Sequence, residues 1–317
     1  MDNFLIIRNY KSNKDTELDN KDYYNYFSSR NILMNTKGEN VTFSKKVGSL
    51  SVKCAFNGQE IYHTSKGKHS VDDNCYLILN YGQEYSGFIK SYVKVNSFSV
   101  FFENEFAKDI LGSLVTPADK LLDDCFSIKI HPVEFIEKSY SHDNLISPYL
   151  FKIKRELECG NHDPLFIEEY FHVLLEKLYL VHKNVRDEIV NLPFQKLSTK
   201  YELYRRLNLA KDYIDTVCNT NISLKKISSE ACLCTHHFIR LFKQVFGISP
   251  YQYLIKKRLQ NSIHLLLRTE LPINIISNSI GFLNASSFTR VFKSRYSLSP
   301  EKYRETNRRK KSILVKQ

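Results

Sequence analysis

The sequence predicts an α+β protein, with a β-rich N-terminal part followed by an all-helical C-terminal part. Three observations support this prediction. Apolar and polar residues alternate in short runs up to about residue 112, apolar residues then recur at helical spacing, and a sixteen-residue segment occurs twice in the last third of the chain. At 317 residues the chain exceeds what one hydrophobic core usually serves, so we expect more than one domain.

The strands are predicted from two alternating runs and the turns beside them. The apolar members of these runs are Leu50, Val52, Cys54 and Phe56, and then Phe98, Val100 and Phe102. Asn57-Gly58 and Tyr81-Gly82 are turn signals. Several short strands separated by turns indicate a β-sandwich or a small barrel.

Helices are predicted from about Pro132 onwards. Asp163 and Pro164 have the pattern of a helix cap and a first-turn proline. One apolar face follows, at Ile167, Phe171, Leu174, Leu178 and Val181. Residues 191–193 break the pattern, and Thr199 and Glu202 have the spacing of a capping box for the next helix. We therefore expect a β-rich domain at 1–130, a helical linker or dimerisation segment at 131–197, and a helical domain at 198–317.

The excess positive charge lies in the C-terminal region. Residues 198–317 contain 22 Lys and Arg against 7 Asp and Glu, a net charge of +15, whereas residues 1–197 carry −3. This asymmetry indicates a polyanionic partner, although a basic surface that only aids solubility gives the same count. The seven cysteines lack paired spacing, and no segment resembles a membrane helix or a signal peptide. We therefore expect a cytoplasmic protein that keeps its thiols reduced and does not bind membranes.

A shift of 50 positions aligns residues 238–253 with residues 288–303. Seven of the sixteen positions are identical, where composition alone predicts about one. The identical pairs are Phe238 and Phe288, Arg240 and Arg290, Phe242 and Phe292, Lys243 and Lys293, Ser249 and Ser299, Pro250 and Pro300, and Tyr253 and Tyr303. Two copies indicate a duplicated supersecondary unit.

Each copy is predicted to be a helix-turn-helix unit, at about 223–246 and 272–296. In the first, Ser223 can cap a short helix, the turn falls at residues 232–234, and Gly247 ends the second helix. In the second, Pro272 opens the short helix, residues 281–282 make the turn, and Asn284 can cap the helix that follows.

The second helix of each unit is the predicted recognition helix. Its two phenylalanines share a face, and Arg240 or Arg290 lies about 200° away from the first of them. An outward arginine at this position can bind a guanine edge or a phosphate in the major groove of DNA. Residues 251–268 lack proline and glycine and predict a connecting helix of roughly 27 Å, comparable with the ~34 Å between successive major grooves. One chain could therefore present both helices to one duplex.

These motifs resemble the AraC/XylS family of transcription regulators over roughly residues 205–305. The matching elements are Arg240-Leu-Phe-Lys243 with Gly247-x-Ser-Pro250, Arg258 with Leu265-Leu266, Ile276 with Gly281-Phe282, and Phe288-Thr-Arg-Val-Phe-Lys293 with Ser299-Pro300 and Tyr303-Arg304. The resemblance implies a seven-helix DNA-binding domain at 198–317. The DNA-binding residues it implies are His236, His237, Ile239, Arg240 and Lys243 in the first unit, and Asn284, Ser286, Ser287, Thr289, Arg290 and Lys293 in the second.

The sequence departs from this family pattern at a few positions. Cys234 stands where the family usually has a serine cap, which leaves Thr235 as the expected cap of the first recognition helix. Ser228 and Ser277 replace the small alanine of each first helix. Ser297 stands where glycine usually ends the second recognition helix.

The N-terminal part resembles the sensor halves of some AraC-type regulators, at Tyr76-Leu-Ile-Leu-Asn80 with Gly82-Gln83 and at Ser97-Phe-Ser-Val-Phe-Phe102. This resemblance implies a cupin-like barrel at 1–130, followed by helices used in dimerisation. The implied function is sequence-specific transcription regulation controlled through the N-terminal domain. The implied partners are operator DNA, a second copy of the chain, RNA polymerase and a small effector of unknown chemistry. We expect a nucleoid-associated protein with no enzyme activity and no cofactor.

Two other functions fit parts of the sequence. An architectural DNA-binding protein without sequence preference would suit the basic residues 308–311, and the ratio of specific to non-specific affinity separates it from a regulator. A metal-binding, cupin-like enzyme domain is the other alternative, but no HxH or HxxxE spacing occurs. Its candidate ligands are His63, His69, Cys54 and Cys75, with Cys232, Cys234, His236 and His237 as a second cluster. The second cluster straddles the predicted turn and lacks a further ligand pair, so we predict no metal.

Overall fold

A computed structural model describes residues 4–7, 20–116, 133–160 and 163–314, with the backbone alone at residues 4, 20, 21, 92 and 308–314. The chain divides into two units, Met1–Asp212 and Tyr213–Gln317. The first combines strands and helices and the second is helical, which confirms the predicted α+β class. Cys125 and Pro132 lie outside the described residues. Within the described ranges, none of the helices is both long enough and apolar enough to span a membrane.

The first unit is built on a sheet that curls into a nearly closed barrel. Its described strands are β1 Phe4–Ile7, β2 Asn31–Val47, β3 Ser51–Phe56, β4 Glu60–Thr64, β5 Lys68–Val71, β6 Cys75–Leu79, β7 Glu84–Phe101 and β8 Ser139–Ser141. The long strand β7 pairs with β2 along most of its length, with β4 near its start and with β3 near its end. Because one strand serves three partners, the sheet closes around an interior.

The predicted alternation is present in β3, but both faces of this strand are buried. Phe56 faces outward and contacts Phe151, with 5.8 Å between the ring centroids. The polar neighbour Lys53 faces the opposite way, into the barrel, where it lines a cavity together with Ser97 and Ser99 of β7. The polar residues of this alternating pattern therefore lie inside the barrel and not on its solvent face.

The described helices up to residue 217 are α1 Asn20–Ser28, α2 Asn104–Val115, α3 Ser147–Cys159, α4 Pro164–Val190 and α5 Leu197–Val217. The first two lie at least partly within the region predicted as strands, so that part of the prediction is wrong. Asp163 caps α4 as predicted, accepting a hydrogen bond from the Leu165 backbone N–H at 3.0 Å. The predicted apolar face of α4 is buried within this chain, where Phe171 contacts Phe102 of the sheet. That face is therefore not available to a second copy.

Helix α5 begins at Leu197, so Thr199 lies inside it and the predicted capping box is wrong. Glu202 instead binds Arg205 and Arg206 on the next turn. The remaining described helices are α6 Leu224–Glu230, α7 Thr235–Phe246, α8 Pro250–Arg268, α9 Ile273–Ser279, α10 Ala285–Tyr296 and α11 Pro300–Leu314. The division between the two units falls inside α5, whereas the regions predicted from the sequence divide at its start.

Candidate nucleic-acid interface

The two helix-turn-helix units, α6–α7 and α9–α10, repeat in geometry as well as in sequence. Phe238 and Phe242 pack with ring centroids 5.4 Å apart and planes at 62°, and Phe288 and Phe292 pack at 5.5 Å and 68°. Each second phenylalanine also contacts the tyrosine of the following helix, Phe242 with Tyr253 at 5.8 Å and Phe292 with its counterpart at 5.4 Å. The identical residues therefore form the same aromatic core twice.

The turns of the two units differ by one residue. Residues 231–234 connect α6 to α7, whereas residues 280–284 connect α9 to α10. Cys232, with φ of 51°, takes the left-handed conformation that Gly281 takes in the second turn, with φ of 85°. The extra residue of the second turn is Leu283, which is 87% exposed. The second helices of the two units, α7 and α10, therefore begin 50 residues apart, whereas the first helices, α6 and α9, begin 49 residues apart.

The caps of the recognition helices also differ. Asn284 caps α10, because its side-chain oxygen accepts a hydrogen bond from the Ser287 backbone N–H at 2.8 Å. Cys234 occupies the cap position of α7 but makes no side-chain cap hydrogen bond. Thr235 is the first residue of α7, and its hydroxyl lies 3.1 Å from that of Ser228, so its predicted role as the cap is wrong. The oxygen of Asn284 is thus engaged within the protein.

One face of each recognition helix is exposed at matching positions. The exposed residues of this face are His236, Arg240, Lys243 and Gln244 on α7, and Ser286, Arg290, Lys293 and Ser294 on α10. Their spacing of four, seven and eight residues places them on one side of a helix. The other predicted contacts on these helices, His237, Ile239, Ser287 and Thr289, are half-buried at the edge of this face. Gln244 and Ser294 were not among the predicted residues, although their position four residues after each arginine indicates the same face.

The cations on this face differ from the buried cations nearby. Within the described part of the chain, Arg240, Lys243, Arg290 and Lys293 have no hydrogen-bond or ion-pair partner. Arg258 of α8, by contrast, is buried and donates hydrogen bonds to the carbonyl oxygens of Cys218 and Thr220, both at 2.8 Å. The exposed cations are therefore free to bind an external anion, while the buried arginine holds the framework.

That framework fixes α8 against the end of α5. Tyr253 donates to the Asp215 carboxylate at 2.8 Å, and Lys257 lies 3.5 Å from the same carboxylate. Gly281 sits against Arg258, since a Cβ at residue 281 would lie 2.9 Å from Nη2 of that arginine. The second turn is thus packed on the side chain that ties α8 to the residues directly after α5.

The residues considered for metal binding are held in other ways. His69 is fully buried, and its ring nitrogens lie 2.7 Å from Asp212 and 2.8 Å from Glu137. Burial alone would lower the pKa of His69, but the hydrogen bonds to these carboxylates raise it to about 9. His63 instead packs against Phe88, with ring centroids 5.7 Å apart and ring planes nearly perpendicular. The two histidines therefore do not share a ligand set, and no group of three or more His, Cys, Asp or Glu placed to hold a metal occurs among the described residues.

Comparison with known proteins agrees with this geometry. Residues 227–306 match a family described as a helix-turn-helix domain. LumQ of Photobacterium leiognathi, a probable transcriptional regulator, is 36% identical over 100 residues, covering 31% of this chain and 40% of LumQ. The multiple antibiotic resistance protein MarA of Escherichia coli strain K12 is 30% identical over 96 residues, covering 30% of this chain and 76% of MarA. The chain belongs to the AraC family of transcription regulators.

The chain is also similar to solved structures of C-terminal domains of regulators. The C-terminal domain of AraT, a response regulator from Geobacillus stearothermophilus, is 30% identical, covers 33% of this chain and 87% of that domain, and has a TM-score of 0.32. The chain spans about a third to a half of the length of the first curated relatives that it matches. The family match at residues 227–306 lies within the helical unit, and the barrel lies outside these residues.

Proposed function

We propose that this protein is a sequence-specific transcription regulator that places α7 and α10 in successive major grooves of one operator. The observation that carries the proposal is the exposed face that occurs twice, with a partner-free arginine and lysine at matching positions of two geometrically equivalent helices. Helix α8 between the two units has 19 residues, or about 28 Å at 1.5 Å per residue. This length suits the ~34 Å that separates successive grooves on one face of the duplex.

The proposed contacts fall into two classes. Arg240 and Arg290 are best placed for base edges, because each lies in the first half of its helix and carries a planar group that can bind guanine through two hydrogen bonds. Lys243 and Lys293 lie one turn further on and suit phosphate oxygens. His236 and Ser286, also exposed, are the proposed neighbours at the start of each helix. Phosphate contacts would supply affinity, and the arginines the sequence preference.

We further propose that residues 1–130 form the sensor domain, that residues 131–197 link it to the DNA-binding region at 198–317, and that the barrel controls DNA binding. Homodimerisation and contact with RNA polymerase belong to this proposal as well. Because the apolar face of α4 is buried within the chain, a dimer would have to form through another surface.

The test begins with selection of binding sites from a random DNA pool by the whole chain at near-physiological salt. A regulator selects a defined motif and binds it at least about 10³-fold more tightly than unrelated DNA. An architectural protein would yield no motif and similar affinity for all sequences. The second outcome would overturn the proposal.

The second step measures Arg240→Ala and Arg290→Ala on the selected operator. Each variant should lose about 1 to 3 kcal/mol of binding free energy and relax the sequence preference in one segment only, because each arginine belongs to a different unit. Arg186→Ala is the matched control, since Arg186 is also exposed but lies on α4. Footprinting assigns the segments, and circular dichroism confirms folding. If both variants bind as tightly as the parent, α7 and α10 are not recognition helices.

A further inference from the structure

Leu283 lies at a point of the second turn that has no counterpart in the first. The Leu233 backbone N–H donates to the Ser228 carbonyl oxygen at 3.1 Å. The Phe282 backbone N–H donates to that of Ser277 at 3.0 Å, so Phe282 is the counterpart of Leu233. The next residue of the first turn already caps its recognition helix, whereas in the second turn Leu283 comes before the cap. Leu283 is therefore an insertion directly ahead of α10.

The side chain of Leu283 does not belong to the hydrophobic core. It is 87% exposed, the most exposed large apolar side chain among the described residues. Its neighbour Phe282 packs into the core that α8, α9 and α10 share, and Leu283 is not part of that core. Single exposed leucines are common on proteins, so what surrounds this one decides whether it has a role.

Leu283 lies beside the exposed face of the second recognition helix. It precedes Ser286 by three residues and Arg290 by seven, and both of these are exposed on α10. Asn284 is exposed as well, but its side-chain oxygen is engaged in the cap. In helix-turn-helix proteins the N-terminal residues of the recognition helix contact base edges. A side chain directly before that end therefore lies within reach of the bound segment.

The two recognition helices differ at this end in the side chains that they can offer. Helix α7 has an exposed His236 near its start and a half-buried Ile239 at the edge of its face. Helix α10 has Ser286 and Thr289 at the matching positions. The second helix thus lacks a large aliphatic group here, and Leu283 in the preceding turn supplies one.

The major groove offers one kind of partner for an aliphatic side chain. Base edges and phosphates present hydrogen-bonding groups, whereas the C5 methyl group of thymine is apolar. A protein partner fits less well, because a stable interface buries roughly 800 Å² on each side. Leu283 is followed by the polar Asn284 and Ser286, so it offers one apolar side chain and not a patch.

We infer that Leu283 packs against the C5 methyl group of a thymine in the operator segment that binds α10. The inference rests on the proposed insertion of α10 into a major groove. It adds a preference for thymine at one position of the second segment, and the turn of the first unit makes no equivalent contact. The two segments are therefore read differently, although both helices carry the same arginine and lysine.

The test removes the methyl group from the DNA and the leucine from the protein, separately and together. The operator selected by the whole chain is synthesised with uracil in place of each thymine in turn, because uracil is thymine without its C5 methyl group. One replacement in the second segment should weaken binding by the parent about fourfold, the effect of losing one buried methyl group. The same replacement should leave binding by Leu283→Ser unchanged. Fluorescence anisotropy at fixed salt measures all four affinities.

Leu165→Ser is the matched control, because Leu165 is 76% exposed but lies on α4 in the first unit. This variant should respond to uracil as the parent does. Replacements in the first segment, which the Arg240→Ala footprint assigns, should affect the parent and Leu283→Ser equally. Circular dichroism should show an unchanged melting temperature for Leu283→Ser, since Leu283 is not part of the core.

Two results would overturn the inference: no uracil replacement in the second segment that weakens binding by the parent, or equal weakening in the parent and in Leu283→Ser. Transcription by RNA polymerase in vitro gives a third. If Leu283→Ser binds every operator as the parent does but changes transcription, Leu283 contacts a protein and not DNA.

The inference and the proposed function can fail separately. If a motif is selected and Arg290→Ala weakens its binding, but uracil has no effect that depends on Leu283, only the thymine contact is wrong. If no motif is selected, the proposed function is wrong and the thymine contact is refuted with it.

Discussion

At the scale of single residues, one position in each unit determines how the recognition helix ends. Gly247 after α7 and Ser297 after α10 both take left-handed backbone conformations, with φ of 75° and 61°. Each donates its backbone N–H to the carbonyl oxygen of the lysine four residues earlier, at 2.9 Å. Glycine adopts this conformation without a steric cost, whereas serine adopts it only at a steric cost from its Cβ. The second unit therefore carries strain that the first one lacks.

Ser297→Gly should raise the free energy of unfolding by about 0.5 to 1 kcal/mol, because it removes this strain. Gly247→Ser should lower it by a similar amount. Thermal unfolding of the whole chain, followed by circular dichroism, measures both changes. Ser294→Gly is the matched control, since glycine inside the exposed face of α10 should destabilise by up to about 1 kcal/mol. A lower melting temperature for Ser297→Gly would contradict the argument.

Gly281 is constrained by its neighbours as well as by its backbone. A Cβ at this residue would lie 2.9 Å from both Arg258 Nη2 and the Cys218 carbonyl oxygen, and φ is 85°. Gly281→Ala should therefore destabilise the protein by more than about 1 kcal/mol and weaken operator binding, because it displaces Arg258, which ties α8 to the residues directly after α5. Unfolding and operator titration measure the two effects. Cys232→Ala serves as the comparison, since residue 232 already carries a side chain in the same conformation. Equal losses of unfolding free energy in the two variants would refute the steric explanation.

At the scale of elements, the sequence predicted the helices with clear apolar periodicity and missed those that depend on distant contacts. Helix α1 contains three tyrosines and two asparagines, which are weak helix formers. It is held by Tyr23 and Phe27, which are buried against the barrel. The ring centroids of Phe27 and Phe101 lie 4.5 Å apart. A contact between residues so far apart in sequence leaves no local signal. The outward position of Arg240 and Arg290, by contrast, follows from helical spacing alone.

The contact between α5 and the barrel is a second feature that the sequence did not predict. His69 of β5 lies between Asp212 of α5 and Glu137, and the Ser139 backbone N–H also donates to Asp212 at 2.9 Å. Because both ring nitrogens face carboxylate oxygens, His69 is protonated and donates from each. Lys66 and Lys211 lie within 3.7 Å of these carboxylates and balance the remaining charge. Three segments far apart in sequence meet here, so no local pattern could reveal the cluster.

The cluster makes stability depend on pH in a defined direction. The pKa of His69 is raised from an ordinary value of 6.5 to about 9, so its stabilisation is complete below about 6.5 and is lost as pH rises through about 9. His69→Gln should therefore lose less stability than the parent between pH 6.5 and 9.5. Urea unfolding at the two pH values measures this difference. NMR titration should show one imidazole with a pKa near 9 that is absent in the variant, and the absence of such a signal in the parent would contradict the assignment.

At the scale of the whole molecule, the excess positive charge lies in the second unit and the cavity lies in the first. Residues 213–317 contain 18 Lys and Arg against 5 Asp and Glu, a net charge of +13, and the remaining residues are nearly neutral. This division could be predicted from the sequence, because charge counts do not depend on the fold. The cavity could not be predicted, because Lys53 and Glu60 reach one interior only when β7 pairs with both β3 and β4. Alternation alone does not specify whether a polar face meets solvent or a barrel interior.

The end of the first unit can be tested by truncation, because the sequence places a boundary at residues 197/198 and the described units divide after Asp212. A fragment of residues 1–217 retains the whole of α5, whereas a fragment of residues 1–197 loses Tyr204, Leu207 and Asp212, all of which are buried. The shorter fragment would also leave His69 with one carboxylate fewer and the Ser139 backbone N–H without its acceptor. Loss of two large buried side chains and a buried ionic partner should cost several kcal/mol.

We therefore expect residues 1–217 to melt cooperatively at a clearly higher temperature than residues 1–197. Neither fragment should bind DNA, because both lack α7 and α10. Equal melting temperatures would show that α5 adds nothing to the stability of the barrel and would favour the boundary expected from the sequence.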